Sequence, residues 1–149
     1  MNATKNAPRA QLYTTEMLAW SATLAHFPLN DALPYRGEAH SRTCGSSLKL
    51  GLDCDGDGRI SKIGFQVTAC AVGQSSAALL AAAADGKTKL DITRTFAEIQ
   101  DWLKHGGSLP SWPGFEILAP VVSHPGRHGA LLLAWQAAGT ALSNTGASS

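Results

Sequence analysis

The 149-residue sequence contains little charge, few aromatic residues and three cysteines. Charged residues make up 15% of the chain and the formal net charge is +1, with the basic residues spread singly along the sequence. The absence of a basic stripe argues against nucleic acid as the main partner. A hydrophobic fraction of 44% still suffices for a globular core and excludes the disordered class. The length predicts one domain over residues 1–149.

Long hydrophobic runs are also absent. The longest run extends from Ala77 to Ala84, far short of the ~18 residues that a transmembrane helix needs. The N-terminal residues contain no apolar stretch typical of a signal peptide. An odd number of cysteines would leave one thiol outside any set of disulfides. These features predict a soluble protein in the reducing cytoplasm, without a membrane partner.

The pattern of apolar residues predicts an α+β fold in which about four to five helices cover one face of a small three-stranded antiparallel sheet. Apolar and polar residues alternate over 48–52 and 63–67, which is typical of a half-buried hairpin. No repeat is visible, and residues 1–12 and 143–149 are expected to be flexible. The first part of the chain is predicted to form a helix between Thr14 and Pro28, an edge strand at Tyr35–Ser41 and then the hairpin. Three helices follow: a small-residue helix from Cys70 to Asp85, a helix through Ile92 and Leu103 that ends at Gly106, and a last helix after Ser123. An irregular connector, 108–120, precedes the last helix.

The hairpin turn at residues 53–64 has a partial resemblance to a calcium-binding EF-hand loop. Asp53, Asp55 and Asp57 occupy the first three ligand positions, and Gly58 follows them. The twelfth position holds Gly64 where an EF-hand has a bidentate Glu, and the flanking segments alternate as strands do. The sequence therefore favours a hairpin turn over a calcium site.

The predicted hairpin sorts the three cysteines into a pair and a single residue. Cys44 and Cys70 both lie at its open end, whereas Cys54 lies at the turn, roughly 30 Å away at ~3.3 Å per residue. Cys70 also directly precedes a helix, whose unpaired N–H groups favour a thiolate, the form of cysteine that binds metals and accepts sulfur. Two interpretations of the pair remain open at this point: a reactive or metal-binding site, or two buried core cysteines.

Residues 36–138 resemble the NifU/IscU-type iron–sulfur cluster assembly scaffolds, including a branch with an insertion before the last helix. The resemblance rests on Cys44-Gly45 before the hairpin, on Cys70 at a similar interval, on the run AVGQSSAALL after it and on the segment APVVSHPGRHGALLLAWQAA. It implies a three-stranded antiparallel sheet with packed helices. The sequence departs from the family at two ligand positions. Ser46 replaces the Asp of the Cys-Gly-Asp motif, and residues 128–130 contain no third cysteine.

The resemblance implies a site in which Cys44 and Cys70 bind iron and sulfur, with His128 as the candidate third ligand and His124 as a weaker one. Imidazole nitrogen is an accepted ligand for zinc and for some iron–sulfur centres. The alternative is that these histidines belong to the turn and the helix start. The implied cargo is a transient cluster of the 2Fe–2S type, or zinc, and the implied partners are a cysteine desulfurase and cluster-recipient proteins.

Three functions follow from this reading. The first is a scaffold-like protein of iron–sulfur cluster assembly. The second is a SufE-like sulfur acceptor that takes persulfide sulfur on Cys70 from a cysteine desulfurase. The third is a degenerate zinc-binding or protein-interaction module. The sequence contains no Ser-His-Asp order, phosphate loop or paired catalytic carboxylates, so it does not indicate a self-contained enzyme.

Overall fold

The computed structural model describes residues 12–42 and 45–145. Its secondary structure confirms the α+β prediction, with three strands and four α-helices in that part of the chain. Short 3₁₀ segments follow the first helix and precede the last. The elements are α1 (Thr15–Thr23), β1 (Tyr35–His40), β2 (Ser47–Cys54), β3 (Ile60–Thr68), α2 (Ala71–Ala83), α3 (Lys89–His105) and α4 (His128–Ser143), with 3₁₀ segments at Leu24–His26, Phe115–Ser123 and Pro125–Arg127.

The sheet has the order β1-β2-β3, and both strand pairs are antiparallel. This confirms the hairpin and the edge strand predicted from the alternation of apolar residues. Leu48, Leu50 and Leu52 are all at most 1% exposed, because they point from β2 into the helical layer. α4 packs across β1 and β2, and α2 packs beside β3. The helices therefore cover one face of the sheet, as expected.

The opposite face of the sheet is partly covered by the loop between α1 and β1. Leu33 is 3% exposed and lies over two glycines that have no side chains to obstruct it, Gly51 and Gly64. Arg36 fixes this loop, since its Nε donates to the Leu33 carbonyl at 2.7 Å and its Nη2 to the Asn30 carbonyl at 2.7 Å. The sequence did not predict this covering, because the loop carries no periodic pattern.

The helix boundaries follow recognisable capping residues. Thr14 caps α1 by accepting a hydrogen bond from the Met17 N–H at 3.1 Å. Thr88 and Asp91 form a capping box at the start of α3. Gly106 ends α3 with a φ of 73°, in the region that favours glycine. The predicted third helix and its end at Gly106 are thus confirmed, while α1 gives way to a 3₁₀ turn before Pro28.

The connector before α4 is more ordered than predicted. Residues Phe115–Ser123 form a 3₁₀ segment, although the sequence suggested an irregular connection. Phe115, Leu118 and Val121 recur every three residues and are at most 1% exposed. A 3₁₀ helix has three residues per turn, so this spacing places all three on one buried face. The three-residue period was the signal that the prediction overlooked.

The predicted flexible ends lie mostly outside the described residues. Within the described range, Leu12 packs against the core and α4 continues to Ser143. None of the helices in residues 12–42 and 45–145 combines the length and apolarity required to cross a bilayer. Most buried apolar residues of the described chain form one core cluster, to which all four α-helices and all three strands contribute.

Candidate sulfur and metal site

Cys70 lies at the open end of the β2–β3 hairpin, where the strands end and α2 begins. The last paired residues of the two strands are Ser47 and Thr68. Cys70 is the N-cap residue of α2, in an extended conformation with φ −71° and ψ 175°. Its carbonyl accepts the Gln74 N–H at 3.0 Å, but its side chain makes no capping hydrogen bond. The half-buried thiol is free of disulfides, so its sulfur remains available for chemistry.

Cys44, the second predicted ligand, lies outside the described residues. The two residues that follow it are described, and both border the same pocket as Cys70. Gly45 has a φ of 70°, which explains why glycine follows this cysteine. The Ser46 carbonyl accepts the Ser41 N–H at 2.8 Å and closes the connection between β1 and β2. The pairing of Cys44 with Cys70 stays a prediction, and the position of Ser46 beside Cys70 is consistent with it.

Arg127 is the third contributor to this pocket, from the 3₁₀ turn that leads into α4. The described lining residues are Gly45, Ser46, Thr68, Ala69, Cys70 and Arg127. Two of them come from the loop before β2, three from the end of β3 and the residues that lead into α2, and one from the segment before α4. The pocket therefore forms only when three distant parts of the chain pack together.

Close packing of α2 on α4 brings the third part of the chain to the pocket. A Cβ atom built on Gly73 would lie 2.8 Å from the Ala69 Cβ and 3.3 Å from the Ala130 carbonyl oxygen, so glycine relieves crowding both before α2 and against α4. Ser76 then links the two helices. Its hydroxyl donates to the Leu131 carbonyl at 2.7 Å and accepts the Trp135 Nε1–H at 3.0 Å. These buried bonds hold the beginning of α4 beside the beginning of α2.

The imidazole of His128 contacts backbone carbonyls. Its Nε2 lies 2.9 Å from the Val121 oxygen and 3.2 Å from the Val122 oxygen. Because a carbonyl only accepts hydrogen bonds, Nε2 carries the proton in this arrangement. His128 also borders a different pocket, together with Gln100 and His105 of α3. His124 behaves similarly, with Nδ1 at 2.9 Å from the Pro120 oxygen. Both imidazoles therefore contact backbone carbonyls of the segment before α4. A ligand role for either histidine stays a prediction.

Within residues 12–42 and 45–145, no three His, Cys, Asp or Glu side chains are grouped closely enough to hold a metal ion. The described part of the site supplies one thiol, that of Cys70. A metal or cluster at this position would therefore need Cys44 and ligands from a partner or from a rearranged His128. The assignment of Cys44, Cys70 and His128 as ligands stays a prediction.

Cys54 has very different surroundings at the other end of the hairpin. It is the last residue of β2 and pairs with Ile60 beyond a register shift. Burial, followed by the charges of Asp53 and Asp55, raises the pKa of its thiol. Asp55 organises the turn, since its Oδ1 accepts the Asp57 N–H at 2.9 Å and the Arg59 N–H at 3.0 Å. Strands flank this loop on both sides, as predicted for a hairpin turn.

Arg127 is a lining residue that the sequence alone did not predict. Its position between Gly126 and His128 is equally typical of an exposed residue at a helix start, and no local pattern distinguishes the two. The available signal was indirect, because Arg127 lies within the C-terminal segment on which the family resemblance partly rests.

The three-stranded sheet with its helical layer is the NifU-like fold, as comparison with solved structures shows. The N-terminal domain of a nitrogen-fixing NifU-like protein from Brucella abortus superposes with a TM-score of 0.82 and 23% sequence identity, covering 89% of this chain and 92% of that one. A putative iron–sulfur cluster assembly scaffold protein for the SUF system from Fervidobacterium islandicum AW-1 superposes with a TM-score of 0.78 and 20% sequence identity. The match covers 88% of this chain and 96% of that one.

A hypothetical protein solved at 2.3 Å resolution also shares the fold, with a TM-score of 0.72, 23% identity and coverage of 87% and 98%. No protein-family model matches the sequence. No curated protein matches it significantly either. The resemblance predicted from the sequence is therefore confirmed by structure, and at these identities the agreement establishes the fold.

Proposed function

We propose that this protein is a scaffold-like component of iron–sulfur cluster assembly that binds iron and sulfur through Cys44 and Cys70. The main support is that Cys70 caps α2 at the open end of the hairpin in a fold shared with a SUF-system scaffold over 88% of the chain. In this role the protein is not an enzyme. Iron and sulfur are its cargo, held as a transient 2Fe–2S cluster, and zinc would compete for the same thiolates.

Cys44 and Cys70 supply only two ligands, so the cluster would be held weakly and passed on readily. His128 joins the set only if its Nε2 leaves the carbonyls of Val121 and Val122. The expected partners are a cysteine desulfurase, which supplies sulfur, and cluster-recipient proteins, which take the product. The near-neutral net charge of +1 suits protein partners better than nucleic acid.

Anaerobic reconstitution tests this proposal. Protein incubated with ferrous iron, sulfide and a reductant should develop visible absorption and bind iron. Cys70→Ala should abolish both signals, because it removes the thiolate that bridges protein and cargo. Cys54→Ala is the matched control and should retain them, since Cys54 lies at the opposite end of the hairpin. A colourless, iron-free wild-type protein would contradict the scaffold function.

His128→Ala is the companion variant in the same experiment. Unchanged absorption would remove His128 from the ligand set while leaving the two cysteines in place. Loss of absorption without loss of folding, checked by circular dichroism, would show that the imidazole turns toward the cargo.

A second function, a SufE-like sulfur acceptor, is favoured by the small number of ligands. The described residues around Cys70 provide one thiol and no carboxylate, which suffices for persulfide transfer although it does not complete a metal site. Cys44 distinguishes the two functions, because the scaffold needs it as a ligand and the acceptor does not. Desulfurase stimulation that survives Cys44→Ala but not Cys70→Ala would favour the acceptor over the scaffold.

A further inference from the structure

The outer edge of β3 is covered by other segments of the chain at two places. β3 is an edge strand, because the sheet has the order β1-β2-β3. In the middle of the strand, the Phe65 N–H donates to the Phe27 carbonyl at 2.8 Å. At the start of the strand, the Ile60 N–H donates to the Lys87 carbonyl at 2.8 Å. A stretch of open edge is left between these two contacts.

The backbone of Ile63 faces outward in this open stretch. Paired residues of an antiparallel ladder alternate between pairs that exchange hydrogen bonds and pairs that do not. Leu50 and Phe65 form a pair of the second kind, because Phe65 uses its N–H on the outer edge. Leu52 and Ile63, two residues along, form the same kind of pair. No hydrogen bond from another segment in the described part of the chain reaches the Ile63 N–H or carbonyl.

A cleft of about 380 Å³ surrounds this open edge. Its buried lining residues are apolar, since Leu33 is 3% exposed, Ile60 2% and Ala81 6%. The half-buried ring of Phe27 also borders it. The volume lies in the range of ~300–1,000 Å³ that is typical of small-molecule sites. A ligand in this cleft can bury an apolar group and hydrogen-bond to the backbone of Ile63.

Two opposite charges border the same cleft. Lys62 of β3 and Asp85 after α2 both line it, and neither forms an ion pair among the described residues. Asp85 follows the C-cap of α2, where a helix carries partial negative charge and a carboxylate gains from a cation. The nearby Lys87 is engaged elsewhere, since its Nζ donates to the Ala83 carbonyl at 3.0 Å and lies 5.0 Å from the centre of the Trp112 ring.

We propose that this cleft binds a free α-amino acid with an apolar side chain. In an antiparallel ladder, one residue exchanges both of its hydrogen bonds with the single residue opposite. The ligand takes the place of that residue. Its carboxylate accepts the Ile63 N–H on the side of Lys62, and its ammonium donates to the Ile63 carbonyl on the side of Asp85. Its side chain packs on the buried apolar lining.

The covered ends of the edge favour a single amino acid over a peptide strand. The segments that pair with Ile60 and Phe65 close both ends of the gap, which spans roughly 15 Å at ~3.3 Å per residue. A longer strand that ran along this edge would collide with them. The site also lies apart from the proposed iron and sulfur site, because the described lining residues of the two pockets do not overlap.

Amide exchange in the wild-type protein tests the proposal, with L-leucine as the probe. The Ile63 amide should exchange rapidly with deuterium in the free protein. Saturating L-leucine should slow this exchange by at least about 5-fold, as one added hydrogen bond would do. Val67 is the internal control, because the same alternation turns its N–H to the same edge outside the cleft. An absence of saturable binding by calorimetry, or binding without slower exchange at Ile63, would overturn the proposal.

Two analogues of leucine test the charged ends of the ligand without any change to the protein. Leucinamide lacks the carboxylate, and 4-methylpentanoate lacks the ammonium group. Each should bind about 3- to 10-fold more weakly than L-leucine, because each loses one charge-assisted hydrogen bond beside water. An analogue that binds as tightly as L-leucine would contradict recognition of a zwitterion.

Asp85→Asn is the variant that tests the ammonium side of the cleft. It should weaken L-leucine binding by about 3- to 10-fold. It should not lower the midpoint of thermal unfolding, because it removes a negative charge from the C-terminal end of a helix. Asp101→Asn, an equal charge change on the 75% exposed Asp101 of α3, is the matched control and should bind L-leucine normally. Equal binding in the two variants would contradict the role of Asp85.

Lys62→Gln tests the carboxylate side in the same way, with Lys49→Gln on the exposed Lys49 of β2 as its control. Weaker L-leucine binding is expected for Lys62→Gln alone, and equal binding in the two variants would contradict the role of Lys62. Cys70→Ala should bind L-leucine like the wild type, because Cys70 does not line the cleft. A loss of binding in Cys70→Ala would contradict a separate site.

Discussion

Cys54 and Cys70 lie at opposite ends of one hairpin, and the residues around the two thiols differ in charge. At the closed end, burial and the carboxylates of Asp53 and Asp55 raise the pKa of Cys54 and keep it protonated. At the open end, Cys70 caps a helix beside Arg127, with no carboxylate among the described residues of its pocket. The same residue type on the same pair of strands therefore has a raised pKa at one end and is a candidate acceptor at the other.

The two ends of the hairpin surround their cysteines differently because they are built from different parts of the chain. The turn is built locally, from residues within the hairpin, and Asp55 supplies its hydrogen bonds. The open end is built from segments far apart in sequence, which meet where α2 packs closely on α4 through Gly73 and the hydrogen bonds of Ser76. A local turn carries its own charges, whereas an assembled pocket can combine a helix end with a distant arginine.

Adding a third thiol at the open end should give the largest effect, an increase in zinc affinity. The closed end, with Cys54, would not share it. Ala130 is fully buried and packs beside Gly73, one turn along α2 from Cys70. Ala130→Cys should raise zinc affinity by at least about 10-fold, since even second-shell ligand changes alter affinity by 10- to 100-fold. Competition with a chromogenic chelator measures this affinity.

Ala130→Ser is the control, because it has nearly the same size and no thiolate. Equal zinc affinity in the Cys and Ser variants would show that position 130 does not face the metal-binding volume. It would also count against the alignment of this position with the third cysteine of the resembled family.

Breaking the link between α2 and α4 should have the next largest effect, a loss in the free energy of unfolding. Ser76→Ala leaves the buried Nε1–H of Trp135 without its acceptor, which costs about 1–3 kcal/mol. Urea denaturation measures the loss in the free energy of unfolding. Ser75→Ala is the matched control with a smaller expected loss, because the Ser75 hydroxyl bonds only to carbonyls of its own helix. Equal losses would mean that the link does not stabilise the interface.

Removing the charge of Asp53 at the closed end should give the smallest effect, a shift in the pKa of Cys54. Asp53→Asn should lower the pKa of Cys54 toward its ordinary value, because one of the two neighbouring negative charges disappears while burial remains. The thiolate fraction then rises at neutral pH. Alkylation of Cys54 by iodoacetamide should accelerate by at most about 5-fold, since charges near the surface interact by less than about 1 kcal/mol.

The rate of Cys54 alkylation against pH, followed on its tryptic peptide, shows this as a shift of the profile to lower pH. The profile of Cys70 in the same samples is the internal control and should not move. A Cys54 profile that stays in place would mean that Asp53 does not raise its pKa, leaving burial and Asp55 as the causes.

Several features were predictable because their signals are local. Alternation at Leu48, Leu50 and Leu52 identified the strand, and the period of α3 with Gly106 after it identified a helix and its end. The resemblance through Cys44-Gly45 and Cys70 pointed to the fold now seen. Phe115–Ser123 was missed as a 3₁₀ segment because a three-residue period is rarely sustained over that length.

The sequence by itself determined the strands, the helices and the separation of Cys54 from Cys70, since these depend on spacing along a single segment. Only the tertiary structure decided which side chains surround Cys70. Arg127 borders its pocket and His128 binds the carbonyls of Val121 and Val122, although the two residues are adjacent in the chain. Neighbours at a helix start point in different directions, and the packing of α4 on α2 selects which one reaches the site.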